Sequence, residues 1–364
     1  MPEMHDRLII GAMSGTSADG VDVVLVRITG TGLGMRATPV GSASVPFCDR
    51  LRSAIFDVRK NGAGSLHAFA AIGHDVAEAY AEAVDALLLA TARTRANITA
   101  IAAHGQTLFH DPPLTIQQFD PALLASRTGI DVIADFRRAD LAVGGQGAPL
   151  VPFADYLLFR SETESRVVLN LGGIANVTIL PANCDIDDVT GFDTGPANCL
   201  SDTILGGVDM NGFRASHGKV CEAAVETFCA SEYVQRKGAK STDGPAMLEQ
   251  FACAIAGHDL STDDQLATAA AVVAECVLRQ SPADATLLLA GGGAKNRAIV
   301  DRFAARRTVR FTDELGIATQ EREAIAFALL GAAYLDRCPA NLPKVTGARK
   351  RVVLGALWPA TTGR

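Results

Sequence analysis

Two stretches of the chain share one design: an apolar run, a glycine-rich turn, and a second run rich in β-branched residues. In the first, Leu8-Ile9-Ile10 leads through Gly11 to Gly20 into the run Val21 to Ile28. In the second, Arg166 to Asn170 leads through Leu171-Gly172-Gly173-Ile174 into Ala175 to Leu180. Strand, turn, strand is a hairpin signature. Each half opens this way and continues with mixed strands and helices, so the expected fold is α/β, two similar lobes facing each other. In such sheets ligands bind at strand ends, here also between the lobes. A length of 364 residues exceeds the usual single domain and agrees with two.

The remaining pattern supports an α/β reading. Leu66 to Ala90 is alanine-rich with helical spacing, one long helix or two broken near Gly73. Ile98 to Ala103 and Ile130 to Ala134 read as buried strands ending in polar residues, and Thr286 to Ala290 as a strand running into three glycines. Helices are expected from Thr262 to about Arg279, Lys295 to Ala305 and Gln320 to Asp336. The Gly144-Gly145-Gln146-Gly147-Ala148-Pro149 segment is the densest loop and the expected boundary or hinge. Pro196, after Gly191-Phe192-Asp193-Thr194-Gly195, is placed to open a helix.

Composition narrows the function. Lysine plus arginine is 33 and aspartate plus glutamate 40, a net charge of −7, which argues against nucleic acid as the main partner. No apolar run reaches the ~20 residues that span a bilayer. Met1 to Gly20 lacks a basic segment followed by an apolar stretch, so no membrane partner and a cytoplasmic location are expected. The eight cysteines form no C-x-x-C pair and read as reduced thiols.

Several segments carry candidate chemistry. In Gly15-Thr16-Ser17-Ala18-Asp19-Gly20 the backbone N–H groups and hydroxyls suit phosphate oxygens, and Asp19 or Asp22 suits Mg²⁺, directly or through water. It is neither a Walker loop nor a dinucleotide fingerprint, and a plain hairpin turn explains the same residues. Gly291-Gly292-Gly293 either admits a flat ring or a phosphate to the backbone or is a loose connection. Asp193 reads equally as a general base or a helix N-cap. Glu323 reads as a pocket-wall carboxylate or a solvated helix position. Asp135, Arg137 and Arg138 stand at a strand end, as an anion grip or a structural ion pair. His104, Gln106 and Thr107 offer hydrogen-bonding groups at another.

Taken in order, the segments 11–22, 104–107, 128–130, 135–137, 144–150, 170–176, 191–198, 240–242, 291–293 and 323–324 resemble the anhydro-N-acetylmuramic acid kinases. These are sugar kinases of the superfamily that contains hexokinase, actin and the 70-kDa heat-shock proteins. The resemblance implies a two-lobed actin/hexokinase-like ATPase fold, each lobe a mixed β-sheet flanked by helices, with ATP and sugar in the cleft. It places the first lobe at 1–138, joined by a C-terminal segment of about 340–364, and the second at 139–339.

It also implies that 1,6-anhydro-N-acetylmuramic acid is opened by water and phosphorylated on O6 at the expense of ATP, with Mg²⁺, in peptidoglycan recycling by a homodimer. Asp193 matches the family's base. Gly15, Thr16, Ser17, Ala18, Asp19, Gly20, Val21 and Asp22, with Gly172 and Gly291, Gly292 and Gly293, would bind ATP. Thr107, Arg138, Gln146, Asp193 and Glu323 would bind the sugar, and Asp19 and Asp22 would hold the metal through water. Alternatives are a kinase of another anhydrosugar such as levoglucosan, or a non-catalytic actin-like ATP switch. The chain departs from the family pattern at Ala139, Asp120, Asn211 to Arg214 and Asp243 to Pro245.

Overall fold

The computed structural model describes residues 6–61, 65–236, 238 and 240–360. The first five residues of the segment read for a leader, and the last four of the expected C-terminal return, lie outside the described residues. The chain divides into two compact units, one of residues up to 158 together with those from 321, the other of residues 159–320.

In chain order the first unit contains β1 (Asp6–Met13), β2 (Gly20–Thr29), β3 (Arg36–Pro46), α1 (Asp49–Asn61) and α2 (Leu66–Ala90). These are followed by β4 (Ala100–His104), β5 (Gln106–Asp111), β6 (Leu114–Gln118), α3 (Pro121–Thr128), β7 (Val132–Ala134), α4 (Arg138–Ala142) and α5 (Val151–Phe159). The second unit contains β8 (Arg166–Leu171), β9 (Ile174–Leu180), β10 (Thr190–Pro196), α6 (Asn198–Leu205), α7 (Glu222–Cys229) and α8 (Glu232–Gln235). It continues with α9 (Gly244–Ile255), α10 (Thr262–Gln280), β11 (Thr286–Ala290), α11 (Arg297–Ala304) and β12 (Val309–Phe311). The chain then returns to the first unit as α12 (Arg322–Leu335), α13 (Pro343–Thr346) and β13 (Ala356–Trp358).

The two main sheets repeat one topology. In the first, β3-β2-β1-β4-β7 are neighbours in that order, with β13 added at the β7 edge. In the second the order is β10-β9-β8-β11-β12. Each has an antiparallel meander of three strands, whose first strand also pairs in parallel with the fourth, and the fourth with the fifth. This is the mixed α/β organisation that the paired hairpins led us to expect. The central strands β4 and β11 are buried throughout, as parallel strands covered on both faces must be.

Helix α2 runs unbroken through Gly73, started by the Ser65 hydroxyl, which accepts from the Ala68 N–H at 3.0 Å. Its apolar face joins Ile10, Val23 and Leu25 in the core of the first unit. In the second unit α10 packs its Leu266, Val273 and Val277 with Val167, Leu169 and Leu287 of the sheet.

The units divide at 158/159 and 320/321, whereas the sequence reading drew the lines at 138/139 and 339/340. Two buried ties explain the difference. The Arg322 guanidinium meets the Asp155 carboxylate at 2.5 and 2.8 Å, which joins α12 to α5. The fully buried Asp140 carboxylate accepts from the Gly147 N–H (2.8 Å), Asn341 Nδ2 (2.7 Å) and Thr346 Oγ1 (2.8 Å). The glycine-rich loop at 144–149 is therefore strapped to Asp140 within the first unit and marks no boundary.

Candidate active site

In the first unit, β1 and β2 are joined by a turn whose shape is fixed from below. Ser14 is buried, and its hydroxyl donates to Gln106 Oε1 at 2.7 Å, while Gln106 Nε2 donates to the Gly15 carbonyl at 3.0 Å. Gln106 is itself wholly buried at the start of β5. Arg59 of α1 donates to the Thr16 carbonyl at 2.6 Å. The Ala18 N–H closes on the Gly15 carbonyl at 3.1 Å, and Ala18 takes a positive φ of 49°.

Held this way, the turn exposes Thr16, Ser17, Asp19 and Asp22. The Ser17 hydroxyl donates to Asp19 Oδ1 at 2.9 Å. Ala18 and Val21 are fully buried, so their side chains belong to the core and only their backbone remains for a ligand. No group of three or more metal-ligating side chains occurs among the described residues. Two exposed carboxylates at this glycine-rich turn still fit Mg²⁺, which keeps several waters and takes one or two carboxylates plus substrate phosphates.

A second group in the first unit surrounds the end of β4. Arg137 donates from Nε to His104 Nε2 at 2.9 Å and from Nη1 to the Gly147 carbonyl at 2.9 Å. Burial and the Arg137 charge hold His104 well below its ordinary pKa, so it stays neutral and its Nε2 accepts. Burial lowers Arg137 to about 10, against the opposing pull of Glu323.

Glu323 is half-buried in the first turn of α12, which excludes the solvated position. Burial raises its pKa, while the charges of Arg322 and Arg137 lower it. Arg138 is exposed, and its Nε lies 2.8 Å from both Asp135 oxygens. The two form an ion pair, and the same two residues line a cavity of about 300 Å³ with Gly105, Gln117, Phe119 and Trp358. Thr107 is half-buried in β5 at a register shift, and Gln146 is exposed in the strapped loop.

In the second unit the glycine turns lie beside the start of α6. The Gly172 carbonyl accepts from the Asn198 N–H (3.0 Å), and the Gly173 carbonyl from the Ala197 N–H (3.0 Å). Gly291 follows β11 with φ of 83°, and a Cβ there would press on the Leu171 carbonyl and Asn170 Oδ1. The triple glycine is therefore a tight packing joint rather than a loose connection, and it leaves Gly292 exposed.

Asp193 does not cap a helix. It lies in β10, which continues to Pro196, and α6 starts only at Asn198 with Ala197 as its N-cap. The expected helix-opening proline instead ends a strand. Pairing with β9 shifts register between Asp193 and Gly195, a bulge that re-aims the carboxylate.

Three bonds fix Asp193 and a fourth holds its neighbour. Its N–H donates to the Lys240 carbonyl (3.0 Å) and its own carbonyl accepts from the Tyr233 hydroxyl (2.8 Å). The Thr242 N–H donates to Oδ2 (3.0 Å), and Gln280 holds the next carbonyl, that of Thr194, at 2.7 Å. Burial pushes the Asp193 pKa up to about 6, while the Thr242 N–H and the Lys240 charge pull it down. Such a carboxylate is ionised at neutral pH and basic enough to take a proton from water. Tyr233 was not marked by any sequence signal, and Lys240 and Thr242 were legible only as a motif.

The model of the family described as anhydro-N-acetylmuramic acid kinase matches residues 7–360. Curated relatives of that name are similar along their whole length. One from Bordetella petrii is 43% identical, covering 97% of each chain. One from Cupriavidus pinatubonensis is 41% identical over 96% of this chain and 98% of its own. One from Salinibacter ruber is 36% identical over 96% of each. With the repeated α/β topology and the matched motifs, these likenesses make the chain a member of the anhydro-N-acetylmuramic acid kinase family, kinases of cell-wall recycling.

Proposed function

We propose that the chain opens 1,6-anhydro-N-acetylmuramic acid with water and phosphorylates it on O6, giving N-acetylmuramic acid 6-phosphate and ADP. The observation that carries this reading is Asp193, a half-buried carboxylate gripped on three sides, with a pKa near 6 and its register set by a strand bulge. Asp193 takes a proton from the water that attacks C1. The C1–O6 bond breaks, O6 gains negative charge and attacks the γ-phosphorus, and ADP leaves.

Residues 15 to 20 donate backbone and hydroxyl hydrogens to the phosphates, and Gly172 with Gly291 to Gly293 takes the nucleoside end. Asp19 and Asp22 would hold Mg²⁺ through water; when bound, the ion offsets phosphate charge. Thr107, Gln146 and Glu323 bind the sugar, and Arg138 uses the guanidinium donors left over from Asp135 on the lactyl carboxylate. We further infer a cytoplasmic homodimer. Supporting this location, all eight cysteines are free thiols, and among the described residues no helix is long and apolar enough to cross a membrane.

Turnover in ¹⁸O-water with ATP, Mg²⁺ and the anhydrosugar tests the reading. The expected product is a 6-phosphosugar labelled at C1. An unlabelled phosphosugar overturns coupled hydrolysis, and activity only on an anhydrosugar lacking the lactyl group overturns the substrate.

A further inference from the structure

We propose that Lys240 is the positioning residue of the active site, the bolt that holds Asp193 in its working geometry. The inference rests on the reading of Asp193 as the base. Lys240 is buried, and its ammonium is surrounded by main-chain oxygens at the end of α8. Nζ donates to the carbonyls of Tyr233 (2.7 Å), Arg236 (2.9 Å) and, at longer range, Val234 (3.4 Å). An ammonium has three donors and no acceptor, so three carbonyls satisfy it completely. The Tyr233 ring lies 4.6 Å from Nζ and the Phe192 ring 5.8 Å, which adds cation–π attraction.

The consequence reaches Asp193 by two routes. The lysine side chain grips α8, whose Tyr233 hydroxyl bonds the Asp193 carbonyl. The lysine main chain accepts the Asp193 N–H, and two residues later the Thr242 N–H bonds the carboxylate itself. One side chain therefore ties together every hydrogen bond to Asp193 named above. A structural lysine could sit anywhere on a surface; this one is desolvated beside a carboxylate, and its charge acts on that carboxylate through space.

The groups that face Lys240 are Asp193, Tyr233, Arg236 and Cys276. Arg236 pushes it down and Asp193 and Cys276 push it up, but burial dominates and lowers it to about 8. The ammonium is thus charged at neutral pH.

Lys240→Met and Tyr233→Phe separate the two routes. Methionine keeps most of the length and apolar packing while removing the donors and the charge. The expected result for Lys240→Met is a fall in kcat of about 10- to 100-fold, with KM for ATP and sugar within about twofold, because a misplaced base harms the chemical step. Its acid limb in kcat/KM against pH should move upward by about half a unit or more, since the cation that favours the Asp193 anion is gone. Tyr233→Phe keeps the ring and is expected to lower kcat about 3- to 10-fold with the acid limb nearly unmoved.

Parent-like kcat in Lys240→Met, or an unmoved acid limb, overturns the proposal. Should Lys240→Met fail to fold, parent-like kcat in Tyr233→Phe overturns it instead. Asp193→Asn, measured alongside, keeps the two readings apart. If it turns over normally, the base assignment fails. If it is inactive while Lys240→Met is normal, only the positioning role fails.

Discussion

Replacing Asp193 by asparagine should make the protein more stable while it stops the chemistry. The carboxyl has a pKa of about 6 in the folded protein against an ordinary 3.8, with burial as the main cause. An acid whose pKa is raised on folding binds its proton more tightly in the folded state. The penalty is therefore absent below about pH 4, grows between about 4 and 6, and is complete above that. At 1.36 kcal/mol per unit it amounts to about 3 kcal/mol, and partial contact with water reduces this to about 2 kcal/mol. Asparagine carries no charge, and its amide oxygen can still accept from the Thr242 N–H.

Urea unfolding of parent and Asp193→Asn, followed by circular dichroism between pH 4.5 and 7.5, measures the effect. The variant should gain about 2 kcal/mol at pH 7.5, and the gain should shrink as the pH falls to 4.5. Turnover should drop by about 10²- to 10⁴-fold, the contribution of a general base. A variant no more stable than its parent at pH 7.5, or a gain that ignores pH, would refute the reasoning that burial rather than a lost partner sets this pKa.

Gln106→Leu removes the bonds to Ser14 and Gly15 that shape the β1–β2 turn. If that turn binds the phosphates, KM for ATP should rise about 10-fold with KM for sugar unchanged, as initial-rate kinetics will show. Gly11→Ala would drive a Cβ into the Ala324 carbonyl and the backbone of α12, so a loss of about 3 kcal/mol in urea unfolding is expected. Arg322→Met should cost about 3–5 kcal/mol by removing the guanidinium that meets the buried Asp155 carboxylate, and adding Asp155→Leu should recover part of it; denaturation midpoints of single and double variants decide this.

What could be read from the sequence was what neighbours in sequence decide. The hairpins are local, and so are the helices, whose starts carry their own caps at Ser65 and Ser261. The reading failed where distant partners act. Nothing near Gly144 to Pro149 says that Asp140, Asn341 and Thr346 fasten this loop, because two of the three lie about two hundred positions away. Gly191 to Pro196 carries turn residues, yet pairing with β9 draws it into a strand; local propensity lost to a sheet that was already waiting for an edge. Tyr233 is an ordinary tyrosine until the fold places its hydroxyl on Asp193, forty positions earlier.

The repeated topology makes the divergence between the two units informative. β1 is followed by a turn at the same place in its sheet as the turn that follows β8. In the first unit Gln106 and Arg59 occupy the inner carbonyls, so the outer hydroxyls and Asp19 face solvent. In the second unit the turn's carbonyls instead accept from the first amides of α6, which ties the turn to that helix. The third strand diverges the other way. β3 is eleven residues long, pairs ten of them with β2 around a register shift at Val40, and alternates between half-buried and exposed. β10 is shorter, bulged at Asp193, and draws a buried lysine and a tyrosine against that bulge. One plan has thus been varied once at a turn and once at an edge strand. Each change sits where the sheet could absorb it without breaking a central strand.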